Sequence, residues 1–297
     1  MAQGSVSART RTLGVEHPET LDSVGILAVA LWYQGKYEEA ERMNRRALEG
    51  REKVLGKEHP DTLEIVNNLA VALRAQGKYE EAEQMHRREL EGSEKALGKE
   101  HPDTLTSVSN LASVLRYQGK YDEAETLNRR ALEGKEKELG KQHPSTLISV
   151  DNLAIVLQDQ GKYDEAETLN RRALERMEKE LGKQHPFTLT SVSNLAEVLR
   201  YQGKYDEAEQ MNRQALEGKE KALGKQHPDT LTSVGNLALV LQDQGKYDEA
   251  ETLSRRALEG KEKELGKQHP STLISVDNLA GVLQCQGKYD EAEKLYR

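Results

Sequence analysis

Between residues 101 and 142 the apolar positions fall into two helical stripes separated by a short break. The first stripe is Leu105, Val108, Leu111, Ala112 and Leu115, offset by 3, 6, 7 and 10 residues. That spacing predicts an amphipathic helix, helix A, and excludes a strand, whose apolar residues would alternate. Pro102 suits the first turn, where its missing N–H would be unpaired anyway, and it holds His101 extended just outside. Gln118-Gly119-Lys120 breaks the pattern, with Gly119 free to take the left-handed conformation that ends a helix. The second stripe, Tyr121, Ala124, Leu127, Ala131 and Leu132, predicts helix B, running from Tyr121 until Gly140 stops it. Asp122, Glu123 and Glu125 lie at its positive end and Lys135 and Lys137 toward its negative end. Glu125 with Arg129 and Glu133 with Lys137 are i,i+4 pairs on the outer face, each contributing about 0.3 kcal/mol. Helix A of about 16 residues and helix B of about 19 make a hairpin roughly 25 Å tall.

The same pattern returns every 42 residues. All seven prolines occur as His-Pro, at Pro18, Pro60, Pro102, Pro144, Pro186, Pro228 and Pro270, and the segments 101–142 and 185–226 agree at 36 of 42 positions. The predicted units are 17–58, 59–100, 101–142, 143–184, 185–226, 227–268 and a truncated 269–297. Gly134 stands mid-helix at a cost of about 1 kcal/mol relative to alanine. The fourth copy has Arg176 there, so no left-handed backbone is required and helix B reads as continuous. One hairpin cannot cover both of its stripes, so the copies must stack into a solenoid stabilised by nearest-neighbour interfaces. Residues 1–16 read as a tail or the remnant of a preceding repeat, since Leu13-Gly14 matches the end of a helix B while residues 1–9 show no repeat pattern. The chain reads as a piece or the edge of a longer array. Its last copy stops within helix B, which should leave Leu279, Ala280 and Leu283 incompletely covered and invite end-to-end self-association.

Composition narrows the function classes. A formal charge of −8, with Lys and Arg interspersed among Asp and Glu, offers no basic stripe for phosphates, so nucleic acid is not an expected partner. No apolar run approaches the roughly 18 residues of a membrane span, so no membrane partner is expected either. The single cysteine, Cys285, excludes a disulfide framework and fits a reducing, cytoplasmic setting. Seven histidines recur once per copy, from His17 to His269, with His86 the only other. Neighbours in that ladder stand about 20 Å apart, two helix diameters, far beyond the ~2 Å of a zinc ligand. No metal, no cofactor and no catalytic constellation is expected.

The spacing of Leu111-Ala112, Leu115, Gly119, Tyr121, Ala124 and Ala131 resembles that of tetratricopeptide repeats, with a unit of 42 residues in place of the usual 34. The NLA, QGKY, RAL and HPDT blocks are similar to those of kinesin light chain units and of the C-terminal arrays of fungal and bacterial NOD-like (STAND) receptors. Near-identical tandem copies resemble the receptor arrays more. The resemblance covers about residues 11–297 and implies an all-α, right-handed superhelical solenoid of antiparallel helix hairpins. It further implies a non-enzymatic scaffold that binds a protein or peptide segment on its concave side, which helix A lines.

Differences among the seven copies concentrate at the sixth, ninth, thirteenth, sixteenth and seventeenth positions, one face of helix A. A ligand groove whose chemistry changes from rung to rung would produce this, as would drift of an unconstrained surface. Drift should also scatter changes over the outer face of helix B, which is constant, so the groove is the preferred reading. The candidate site residues there are Arg74, Arg116, Tyr117, Asp151, Ile155, Asp159, Glu197, Arg200, Tyr201 and Asp243. Three arginines face seven carboxylates in the full set, so the lining is mildly acidic. Trp32, Tyr33, Tyr117 and Tyr201 are its aromatic members and could stack on a ligand or merely cover the next helix. Beside this face the tenth position is Asn68, Asn110, Asn152, Asn194, Asn236 and Asn278, with Ile26 in the first copy. The resemblance implies that these amides clamp a ligand backbone; bonding to a neighbouring repeat is the structural alternative. A ligand with basic and apolar residues is expected over an acidic one.

Overall fold

The computed structural model describes residues 2–296, with fifteen helices and no strand among the described residues. After α1 (Ala2–Leu13) come α2 (Pro18–Tyr33), α3 (Tyr37–Leu55), α4 (Pro60–Ala75), α5 (Tyr79–Leu97), α6 (Pro102–Tyr117) and α7 (Tyr121–Glu138). They are followed by α8 (Pro144–Asp159), α9 (Tyr163–Glu180), α10 (Pro186–Tyr201), α11 (Tyr205–Leu223), α12 (Pro228–Asp243), α13 (Tyr247–Leu265), α14 (Pro270–Cys285) and α15 (Tyr289–Leu295). Even-numbered helices are helix A and the odd ones from α3 onward helix B. Two compact units divide the chain, Met1–Val156 and Leu157–Arg297, with the boundary inside α8.

Each helix A starts on a histidine cap. His Nδ1 accepts the backbone N–H two residues on, at 3.1–3.3 Å, in all seven copies. This takes the place of the usual Ser, Asp or Asn side-chain oxygen and requires a neutral ring with its proton on Nε2. Two residues past the proline, a fully buried threonine ties this start to the end of the preceding helix B. Thr62 Oγ1 donates to the Gly56 carbonyl at 2.8 Å and Thr146 Oγ1 to that of Gly140 at 2.9 Å. Gly56 and Gly140 have φ of 91° and 88°, backbone that other residues rarely adopt. Helix A ends as its spacing predicts: Gly119 has φ of 76° and the Lys120 N–H returns to the Leu115 carbonyl at 2.9 Å.

Helix B is continuous through its mid-helix glycine. A Cβ on Gly218 would lie 2.6 Å from Leu189 Cδ2, so the glycine lets the leucine of helix A press against the helix B backbone. Within each of the two units the core layers are shared between repeats. Leu69, Leu73 and Ala82 of one repeat meet Val114 of the next and Leu48 of the one before. In the second unit Leu237, Leu241 and Ala250 meet Val282 and Leu216 in the same way. In α1, Val6 is buried with Val24, Ala47 and Ile65, the register a helix B leucine takes in later repeats.

The expected gap in the core of the last repeat does not exist. Leu279, Ala280 and Leu283 are fully buried, packed with Leu258, Ala292 and Leu295. The seven residues of α15 supply the covering contacts, so this reason for end-to-end association falls away.

The outer face of helix B carries a ladder of ion pairs. Glu209 accepts from Arg213 of its own helix at 2.8 Å and from Lys246 of the next repeat at 2.8 Å, and Arg213 reaches on to Glu249 at 2.6 Å. The hydrogen bond from Lys246, helped by Arg213 and Gln244 and opposed by burial, holds the Glu209 carboxyl at about 2. Glu41, bonded by Arg45, Lys78 and Gln76, repeats the arrangement in the first unit.

Candidate functional site

The face of helix A that varies among copies is largely solvent-accessible, but its ninth position is buried at Ser109, Ser193 and Gly235. Tyr117, Asp159, Glu197, Tyr201 and Asp243 are exposed, and Arg74, Arg116, Asp151, Ile155 and Arg200 half-buried. Many of these side chains already touch the neighbouring repeat. Arg74 donates to Ser113 Oγ at 2.8 Å and Arg200 pairs with Asp243 at 2.7 Å. Tyr117 stacks on Tyr79 of the preceding repeat at 5.6 Å, and Tyr201 on Tyr163 at 5.8 Å. Arg116 lies over Tyr117 at 4.9 Å and Arg200 over Tyr201 at 4.4 Å, within cation–π range. The two tyrosines thus cover the start of the preceding helix B with one ring face while about half of each remains exposed.

All six tenth-position asparagines are half-buried at the edge of this face. Asn110 Nδ2 donates to Asn67 Oδ1 of the preceding helix A at 2.9 Å, so in that copy the amide is engaged by a neighbouring repeat. In the second unit Asn194, Asn236 and Asn278 have no side-chain hydrogen bond among the described residues. Their surroundings differ because the preceding ninth position is no longer asparagine. Ser193 turns back to the Leu189 carbonyl at 3.1 Å, and Gly235 offers Asn278 no side chain at all.

These hairpins match the tetratricopeptide repeat over residues 23–95, 61–137, 103–157, 145–221, 190–263 and 229–297. The chain belongs to the tetratricopeptide-repeat family. Among solved structures this tetratricopeptide array is similar to a Podosopora anserina putative kinesin light chain with nearly identical TPR-like repeats. The two share 30% identity over 70% of this chain and 98% of that one, with a TM-score of 0.59. BtubC (BKLC) from P. vanneervenii shares 23% identity over 77% of this chain and 92% of its own, with a TM-score of 0.62. NprR in complex with its cognate peptide NprX shares 19% over 89% and 74%, with a TM-score of 0.59. The last two resemblances are of fold. No curated protein matches this chain. No helix among its described residues is long and apolar enough to cross a membrane.

The sequence reading missed a second row of amides in the tetratricopeptide hairpins. Asn44, Asn128, Asn170 and Asn212, on helix B, are 98% buried and leave Oδ1 without a partner. Asn128 Nδ2 reaches the Asn152 carbonyl of the next helix A at 3.5 Å, and Asn212 lines a small cavity with Asn236, Glu197 and Arg200. The signal was present as an asparagine recurring at the twenty-eighth position, between the apolar twenty-seventh and thirty-first positions of the buried stripe. His86 stands there in the second copy, where burial, then the charge of Arg74, lower its pKa to about 4 and keep it neutral.

Proposed function

We propose that this chain is a non-enzymatic binding scaffold that takes an extended peptide or protein segment along the helix A face, its amides holding the ligand backbone. One observation carries the reading: Asn194, Asn236 and Asn278 recur once per repeat, half-buried and without a protein partner, beside side chains that change from copy to copy. An amide can donate and accept together, which suits a peptide group. NprR, of the same fold, is known with a bound peptide, which supports the ligand class. As the interaction array of a larger protein, the chain fits a NOD-like receptor or a kinesin-light-chain adaptor. Near-identical copies no longer favour the first, since a putative kinesin light chain also carries them. Cytoplasmic placement goes with either.

The test is selection of binders from a random peptide library on the full chain, followed by calorimetry on variants. Asn194→Ala with Asn236→Ala should weaken the selected peptide by about 1–3 kcal/mol, the cost of leaving a buried partner unpaired, with helicity retained. Unchanged affinity in the folded variant would end the clamp reading.

A further inference from the structure

The second repeat departs from the others on the inner side of its helix B. Where the other complete copies have alanine at the thirty-first position, α5 has Glu89, and where the first copy has Arg51, α5 has Ser93. The two changes meet in one cavity of about 360 Å³ between α4, α5 and α6, lined in part by Glu64, Glu89, Ser93, Asp103 and Ser107. Glu89 is 92% buried; its Oε1 accepts from Ser107 Oγ and Ser93 Oγ, and its Oε2 has no partner. No lysine or arginine is among the described residues lining this cavity.

The first repeat shows what usually fills such a place. Arg51 of α3 is 92% buried and joins two carboxylates from two helices, Asp22 of α2 and Asp61 of α4, the latter at 2.7 Å. Glu64 and Asp103 occupy those same two repeat positions in the second repeat, but the cation between them has been replaced by the short Ser93. The fourth copy shows the opposite resolution: its thirty-fifth position is Met177, and the third position of the following copy is Phe187 in place of an acid. Only the second repeat keeps both acids, adds a third and drops the cation. Lys135 of α7 is within electrostatic reach of Asp103, and His101 Nδ1 lies 3.7 Å from its carboxylate, yet neither lines the cavity. Burial pushes the Glu89 carboxyl above its usual range, against the bonds from Ser107 and Ser93, as expected for an acid that lacks a counter-charge.

We infer that the α4–α5–α6 cavity is a binding site for an arginine side chain of a partner, whose guanidinium joins Glu64, Asp103 and the free Oε2 of Glu89 in the place Arg51 fills in the first repeat. A guanidinium is preferred over an ammonium because its planar fork bonds carboxylates on two sides at once, as Arg51 does. A divalent metal is a poor alternative, since no group of three acid, histidine or cysteine side chains among the described residues is close enough to hold one. The inference deepens the peptide-binding reading and rests on it for the source of the arginine.

The experiment uses the full chain, isotope-labelled, titrated with N-acetyl-arginine methylamide and with its neutral citrulline counterpart while amide shifts are followed. The arginine probe should give saturable shifts centred on residues 89, 93, 103 and 107, and the citrulline probe should bind at least tenfold more weakly. Glu89→Gln should weaken the arginine probe about thirtyfold or more, the scale for removing one partner of a buried charge pair. Ser93→Arg should abolish binding by supplying the guanidinium internally, and should raise Tm. Equal binding of both probes, undiminished binding in Ser93→Arg, or shifts spread evenly over the acidic repeats would each overturn the inference. A single capped residue needs no amide clamp, so loss of this site and loss of the peptide path at Asn194 and Asn236 are read separately.

Discussion

The outer face of helix B and the exposed face of helix A differ in how their side chains are bonded, and that explains why one is constant and the other is not. On helix B glutamates such as Glu83 and Glu209 are each held by an arginine of their own helix and by a lysine of the following repeat, so one substitution breaks bonds in two repeats. On helix A the contacts form clusters whose makeup differs from copy to copy, such as Arg74 with Ser113 and Tyr117, and Arg200 with Asp243 and with Tyr201 stacked on Tyr163. The constancy of helix B is therefore imposed by bonding, and it is no measure of how fast an unconstrained surface drifts. The proposal that the helix A face is a recognition surface rests instead on the unengaged amides of Asn194, Asn236 and Asn278 beside it.

The contrast can be broken most forcefully from within the shared core. Leu199→Ala removes a fully buried side chain that packs with Ala208 and Val240, and should cost about 2–5 kcal/mol in urea unfolding. Next in size is the ladder. Glu209→Gln should cost about 1–2 kcal/mol, its bonds to Arg213 and Lys246 being charge-assisted but partly screened. The ladder also fixes a pH dependence. The Glu209 carboxyl is depressed from its ordinary 4.5 to about 2, so its stabilisation is complete above 4.5 and is lost as pH falls from there toward 2. Urea midpoints measured at pH 7, 4 and 3 should fall in that order, and fall less steeply in Glu209→Gln. His227→Ala should cost about 1 kcal/mol by loss of the cap on α12, and His227→Asn should restore most of it, as judged by thermal unfolding. Smallest of all, Tyr201→Ala on the helix A face should cost about 0.5–1.5 kcal/mol, the worth of its stack on Tyr163.

Helix boundaries were legible because proline and glycine act through their own backbone, and α6 starts at Pro102 and ends before Gly119 as their chemistry requires. The caps were harder to read, since histidine is not among the residues whose side-chain oxygen normally does this work; only the backbone geometry shows Nδ1 taking that place. Half of the ladder was visible as i,i+4 spacing. The other half joins residues 36 or 37 apart, as Arg213 with Glu249 and Lys246 with Glu209, and a helical wheel cannot show it. Glu89 was visible as an acid in a column of alanines, but its significance depends on what stands at the thirty-fifth position of the same helix. Helix length is a poor guide to the coverage of Leu279 and Leu283, because Ala292 in the first turn of helix B already makes the contact.

The inter-repeat hydrogen bonds have a further consequence for how the chain finds its structure. The separations of those named above run from 6 residues, for Thr62 with Gly56, to 43, for Arg200 with Asp243. A nascent chain can therefore satisfy each of them as soon as one more hairpin has formed, with no distant segment to wait for, which is the condition for rapid search. Because the copies are almost interchangeable, several hairpins are equivalent starting points, and growth can spread from any of them in either direction. The same equivalence means that a hairpin pairing one repeat out of register meets nearly the right partners, and only the odd side chains, Glu89 and His86 among them, tell the second position from the rest.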